Sequence, residues 1–283
     1  MSRNRDRLGG GNSTPKTGAE APQTTQNTGF SFVVPTEFVE LPSRGKFYSP
    51  EQPLHGCDSI EIRHMTAKEE DLLTSRTLLK KGIAIERLLQ SIIIDKSVKA
   101  SSLLVGDRNA LVIAARVSGY GSDYSTKITC PSCTKASTYT FDLNEADVYA
   151  GDRREDIEIT DNGDGTFGVT LPVLKLDVTF RLMTGVDEIA SSPTNKNDRK
   201  RMENSAVTTQ LNVMLESVAG DSSSAMIQTL VENMPSRDSR WLRRAYKLAS
   251  PNIDLTQEYE CEECGFEQEM EVPLTADFFW PSQ

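Results

Sequence analysis

Apolar side chains recur every second residue in some stretches of this chain and every third or fourth in others, and the two periods divide it into strands and helices. Ser59 to Met65 alternates Ile60, Ile62 and His64 with Glu61 and Arg63, the pattern of a half-buried strand. Thr66, with Glu69 three residues on, forms a capping box that predicts a helix through Leu72, Leu73, Leu78 and Leu79 to a break at Gly82. Ile85, Leu88, Leu89 and Ile92 then form a core-facing helical stripe. A further helix starts near Asp107, runs through Leu111, Ala114 and Ala115, and stops at Ser118-Gly119, where glycine can supply a left-handed cap.

From about Asp123 to Leu143 the period returns to two: YSTKITC and TYTFDL flank Pro131-Ser132 and predict a hairpin with a cysteine pair at its tip. EDIEIT, TFGVTL and LDVTFRLMT predict three more strands. Asp161 to Gly165 reads as a tight turn, because it lacks the glutamate that closes a calcium loop. From Gly185 to Pro251 the pattern is helical: VDEIA, a polar break at SSPTNKND, then AVTTQLNVMLESV, SAMIQTLVENM and SRWLRRAYKL. In the last of these Trp241, Leu242, Ala245, Tyr246 and Leu248 face inward, and Arg240, Arg243, Arg244 and Lys247 face water. The final segment, from Leu255, repeats the strand–knuckle–strand pattern around a second cysteine pair.

These readings divide the chain into a disordered tail (1–29), an extended arm (30–58), a strand and helical region (59–122), a β region with the first CxxC hairpin (123–184), a helical region (185–251), and a second CxxC hairpin with an aromatic tail (252–283). The fold class expected is α+β: a helical layer, a small antiparallel β region and a four-cysteine zinc ribbon, with an extended N-terminal arm. The tail has almost no large apolar side chains to offset the entropy of ordering. The arm either docks on a neighbour or packs as an edge on its own domain. Phe278, Phe279, Trp280 and Pro281 are candidate partner-binding residues, which either fold back on the domain or insert into a neighbour.

Composition narrows the chemistry. The 283 residues carry a net charge of −10, from 41 acidic and 31 basic side chains, so the average surface repels phosphate backbones and anionic lipid. No run approaches the roughly eighteen apolar residues of a membrane helix, and the start has no apolar signal-peptide core. No nucleic acid and no membrane are therefore expected as partners, and the chain is expected to be made and folded in a cytoplasm.

Four of the five cysteines stand in two CxxC pairs, Cys130 with Cys133 and Cys261 with Cys264, which suits a metal in a reducing compartment better than a disulfide framework. Each CxxC turn presents two thiolates to one ion, and two turns complete the tetrahedron of a structural zinc. If both pairs share one ion, it ties the middle of the chain to its far end. The fifth cysteine, Cys57, is expected as a small buried hydrophobe. Four sulfurs leave no open position on the metal. Two histidines in all, with no nucleophile motif, Walker loop or dinucleotide fingerprint, argue against an enzyme.

The order VELPSRGKFY, TAKEEDLL, ERLLQSIIID, DRNALVIAARVSGYG, then ITCPSC with FDL after it, resembles the T-even-like bacteriophage baseplate hub assembly family over roughly Val39 to Val148, and the carboxyl-terminal part with CEECG and FFWP resembles phage relatives of longer form. The resemblance implies a non-catalytic structural or assembly (chaperone) component of a contractile-tail baseplate hub. It would work in the host cytoplasm during assembly or within the virion, with other phage tail and baseplate proteins as partners, as a monomer or an oligomer. A nucleic-acid-binding zinc-ribbon regulator and a thiol redox protein are the alternatives.

Overall fold

The alternation around Ile60 and Ile62 is answered by a partner strand. Thr36–Glu40 (β1) and Ser59–Arg63 (β2) pair antiparallel, with Val39 opposite Ile60 and Glu40 opposite Ser59. The computed structural model describes residues 33–152, 157–190, 206–273 and 276–279. The expected tail, 1–29, lies outside these residues. Val33 and Phe38 are exposed, but from Val39 onward the described part of the expected arm packs on its own chain, with Val39, Leu41, Tyr48 and Leu54 buried in the core. Their apolar area has a home here, so nothing in the segment from Val39 to Leu54 stands free as an arm.

Ala67–Thr74 (α1) begins at the expected capping box, where the Thr66 amide and hydroxyl both donate to Glu69 Oε2, at 3.0 and 2.7 Å. Glu69 is fully buried, forked by Arg63 at 3.0 and 2.6 Å, and takes the Ser91 hydroxyl at 2.7 Å. The single helix expected up to Gly82 is broken at Ser75, whose extended ψ of 107° separates α1 from Arg76–Lys80 (α2). Ala84–Ile92 (α3) buries Leu88, Leu89 and Ile92 as its stripe requires. Val105–Tyr120 (α4) ends two residues later than predicted, on Gly121 at φ 85°. Gly119 lies inside the helix instead, against the flexible end of the Met65 side chain. Near the start of α4 buried Asp107 accepts from the Ser43 amide (2.9 Å), the Ser43 hydroxyl (2.6 Å) and the Tyr48 hydroxyl (2.7 Å).

Asp123–Thr129 (β3) and Ala136–Asp142 (β4) form the first cysteine hairpin. Asp147–Tyr149 (β5) is too short to show a period, and its strand character comes from a distant partner described below. Thr160–Asp161 (β6) is the paired part of the expected EDIEIT strand, whose residues 155 and 156 lie outside the described set. It leads through the expected turn to Thr166–Thr170 (β7) and Asp177–Arg181 (β8), with Val169 opposite Val178 and Thr170 opposite Asp177. Gly185–Ala190 (α5) follows, and here Arg181 forks Asp187 at 2.7 and 2.8 Å while the Thr184 amide and hydroxyl donate to Asp187 Oδ2. The polar break SSPTNKND lies outside the described residues.

Residues 206–214 are helical (α6), and there the prediction of a helix through Val218 fails: Leu215–Val218 (β9) joins β8 as a strand. Leu215 pairs with Phe180 and both are buried, so pairing along β8 outweighs the helical period of the preceding residues. Ser224–Asn233 (α7) and Ser236–Ala249 (α8) match expectation. Leu242, Ala245 and Leu248 are buried, while Arg240, Arg244 and Lys247 are exposed. Asp238, buried in the first turn of α8, accepts from the amides of Val173 (2.7 Å) and Leu174 (3.0 Å). Asn252–Asp254 (β10) pairs with β5, and Thr256–Glu260 (β11) with Glu267–Glu271 (β12) forms the second cysteine hairpin. Helices and several small antiparallel sheets thus share one core, which includes the inner faces of both hairpins.

Candidate metal centre

Strict alternation buries one face of β3, with Tyr124, Thr126 and Ile128 inward and Ser125 and Lys127 outward. Phe141 of β4 and Tyr259 of β11 are buried on the same core, and the hairpins touch directly. The Tyr139 ring stands 5.0 Å from the Tyr259 ring, its hydroxyl donates to the Glu258 carbonyl (3.1 Å), and Gln257 Nε2 donates to the Asp142 carbonyl at 2.7 Å. These contacts bring the two hairpin tips together.

The two tips have the same backbone. The Thr134 amide donates to the Cys130 carbonyl (2.9 Å) and the Cys130 amide to the Lys135 carbonyl (2.9 Å). In the other knuckle, Gly265 donates to Cys261 (2.8 Å) and Cys261 to Phe266 (2.9 Å). Thr134 and Gly265 both take positive φ, 59° and 65°, which turns each loop back over its cysteines.

All four expected ligands converge: the sulfurs of Cys130, Cys133, Cys261 and Cys264 lie within 4.8 Å of one another. Cys130 Sγ is 3.8 Å from Cys264 Sγ, and Cys133 Sγ is 3.8 Å from Cys261 Sγ. That is far longer than the ~2.05 Å of a disulfide and equals the ~3.8 Å edge of a tetrahedron with ~2.3 Å metal–sulfur bonds. Cys130 and Cys261 are buried, Cys133 is half-buried and Cys264 is exposed. The Glu263 amide donates to Cys261 and, against the effect of burial, brings its thiol down to about 6. At Cys264 the Phe266 amide acts in the same direction, but desolvation and the neighbouring sulfurs prevail and push the thiol up to about 11. Lys135 and Glu263 form an ion pair across the knuckles.

Of the two readings of the aromatic tail, Phe278 and Phe279 follow the one that folds back on the domain. Phe278 and Phe279 are buried in this chain's own core, and Phe278 lies edge-on to Tyr124 with centroids 5.2 Å apart. Arg116 explains why: fully buried on α4, it donates to the carbonyls of Phe278 (2.7 Å) and Asp123 (2.9 Å), and to that of Gly121. A buried guanidinium needs acceptors, and the tail supplies one. Trp280 and Pro281 lie outside the described residues. Cys57, expected buried, is half-buried, with its thiol directed at the Pro53 carbonyl.

Sequence reasoning missed Arg116, Asp107 and Asp238, the charged side chains that pin loops and tail to helices. Asp107 and Asp238 carry part of a signal, since both stand in the first turn of a helix where an acid is favoured, but the amides they take belong to distant loops. Among the described residues no helix is long and apolar enough to cross a membrane.

No curated protein and no solved structure matches the chain. A family model described as T4 bacteriophage base plate protein matches residues 34–280, so the likeness is continuous through the carboxyl half and takes in both cysteine hairpins. The chain belongs to the T4 bacteriophage base plate protein family.

Proposed function

We propose that this base plate protein is a structural or assembly component of the baseplate hub, and that one structural zinc held by Cys130, Cys133, Cys261 and Cys264 closes its fold. The observation that carries the zinc reading is the pair of 3.8 Å sulfur separations across the two knuckles, in a set of four thiols that share one small volume. Soft thiolates in a tetrahedral set of four favour zinc over the harder cations. Bound there, zinc supplies cross-linking and no open coordination site, which supports a binding role over a catalytic one.

The partners proposed are other tail and baseplate proteins. The second hairpin carries Glu258, Glu260, Glu267, Glu269 and Glu271 on its exposed positions, an arrangement that disfavours nucleic acid. Elemental analysis of the reduced, purified chain should return one zinc per chain, and a chain that carries no transition metal would remove the zinc reading. Mass spectrometry of purified tails separates the two roles. A stoichiometric amount of the chain marks a structural part, and its absence from tails whose assembly requires it marks a chaperone.

A further inference from the structure

The two halves of the chain repeat each other in detail that secondary structure alone does not demand. Val39-Glu40-Leu41-Pro42 closes β1, and Val169-Thr170-Leu171-Pro172 closes β7. The following strands pair in matching register: Val39 faces Ile60 and Glu40 faces Ser59, as Val169 faces Val178 and Thr170 faces Asp177. Arg63-His64-Met65-Thr66 with Glu69 then matches Arg181-Leu182-Met183-Thr184 with Asp187. In both, the arginine at the strand end forks the acid, and the threonine amide and hydroxyl donate to one of its oxygens.

From the next long helix onward the correspondence has no gap. Asp107, Leu111, Ala114, Cys130 and Cys133 align one to one with Asp238, Leu242, Ala245, Cys261 and Cys264. Buried Asp107 takes the Ser43 amide, the first after the Leu-Pro pair, and buried Asp238 takes the Val173 amide at the same point. Helix and strand propensities do not dictate which side chain holds which loop amide. Several such choices made twice in the same order mark a repeated unit.

We infer that residues 34–143 and the described residues between 165 and 273 are two copies of one unit, and that the four-cysteine centre is the joint at which a knuckle of one copy takes the equivalent knuckle of the other. Exchange of the copies turns the Cys130–Cys264 pair into the Cys261–Cys133 pair, and both stand at 3.8 Å, as a two-fold relation requires. The first cysteine of each knuckle is the buried one. The Asp142 carbonyl, at the end of β4, accepts from Gln257 of the second copy, and its counterpart, the Pro273 carbonyl, accepts from Tyr124 of the first, although the two donors are not equivalent positions. Each copy keeps its own hairpin, arginine fork and aspartate cap, so the metal acts between the copies and not within either. Each knuckle is a half-site whose fitting partner is a second CxxC knuckle of the same kind.

The claim about what fills the joint rests on the zinc reading above; the claim that there are two copies does not. The test uses the full chain with cobalt(II) as the probe. Its first knuckle is rewritten as the second by P131E, S132E, T134G and K135F, and in a separate chain the second is rewritten as the first by E262P, E263S, G265T and F266K. Either folded graft should bind one cobalt per chain with the parent's tetrathiolate absorption, and a folded graft without that site would overturn the inference. Hydrogen exchange on the metal-loaded parent decides the matter even if both grafts misfold. Chelation should deprotect the Thr134 and Gly265 amides and leave those of Ser43 and Val173 protected, whereas loss at all four would place the metal inside a single unit. A parent that takes up no cobalt sinks the zinc reading alone. The copies are then judged by D107N and D238N: each should free the capped turn of its own copy only, and release of both turns by either variant would refute the two-unit reading.

Discussion

Thr134 holds the left-handed backbone that Gly265 holds in the other knuckle, and a β-branched side chain pays for that conformation where glycine does not. The loop adopts it anyway, because the amide of the same residue must reach the Cys130 carbonyl for both thiols to face the site. Replacement of Thr134 by glycine should therefore stabilise the protein, by about 0.5–1 kcal/mol once the extra freedom of glycine in the unfolded chain is deducted. Gly265→Thr should lose a comparable amount. Urea unfolding of the two single variants checks both signs, and a destabilised Thr134→Gly would mean that the threonine side chain has a role beyond the turn. The same scale explains why the aromatic end of the chain is core. The Phe278 carbonyl is one of three that satisfy buried Arg116, so the tail is held in part by a side chain more than a hundred residues away.

At the scale of elements, the arginine forks tie the fold to pH through two lowered carboxyls, Glu69 and Asp187. Burial alone would raise the Glu69 carboxyl, but Arg63 and the hydroxyls of Thr66 and Ser91 outweigh it and hold the group well below the usual carboxylate range. Asp187 is lowered in the same way, with Arg181 opposing its burial. A carboxyl lowered in the folded state contributes stability that is present above its ordinary value, 4.5 for Glu69, and is lost as pH falls through the folded value. Asp107, raised by burial against its Ser43 hydrogen bonds, contributes with the opposite sign. The unfolding free energy should thus fall from about pH 5 downward, and Glu69→Gln should flatten that fall while it lowers stability near neutral pH. A pH profile unchanged by Glu69→Gln would show that the fork does not govern acid unfolding. The Thr66–Glu69 end of this fork was legible in the sequence as a capping box, and so were the stripe of α3 and both cysteine hairpins, because each is written in neighbouring residues. β9 was not legible, since its strand character comes from the β8 edge beside Phe180. The β5–β10 pair was not, since three residues carry no period. The repeat escaped because the first copy has a long loop between Leu41 and Asp58 where the second needs only Leu171 to Leu176, which hides the match between Arg63 and Arg181.

For the whole molecule, the question is how much the cysteine centre contributes beyond the contacts that already join its hairpins. Tyr139 against Tyr259 and Gln257 on the Asp142 carbonyl would persist without metal, so the ribbons have a reason to meet before any ion binds. Four cysteine sulfurs brought together by protein contacts do not by themselves form a stable arrangement, because thiol protons and thiolate charge crowd one small volume that a bound cation would neutralise. Loss of one ligand should then cost several kcal/mol, short of the roughly 10 kcal/mol or more that zinc supplies to domains with no other core. Cys261→Ser and Cys130→Ser should each lower the unfolding free energy by that order, and the double variant should cost little more than either alone, because the four ligands act as a unit. Chelation of the parent should bring it to the level of the single variants. If instead the two substitutions proved small and additive, the sulfurs would be packing groups, and the aromatic contacts would carry the joint between the hairpins without a metal.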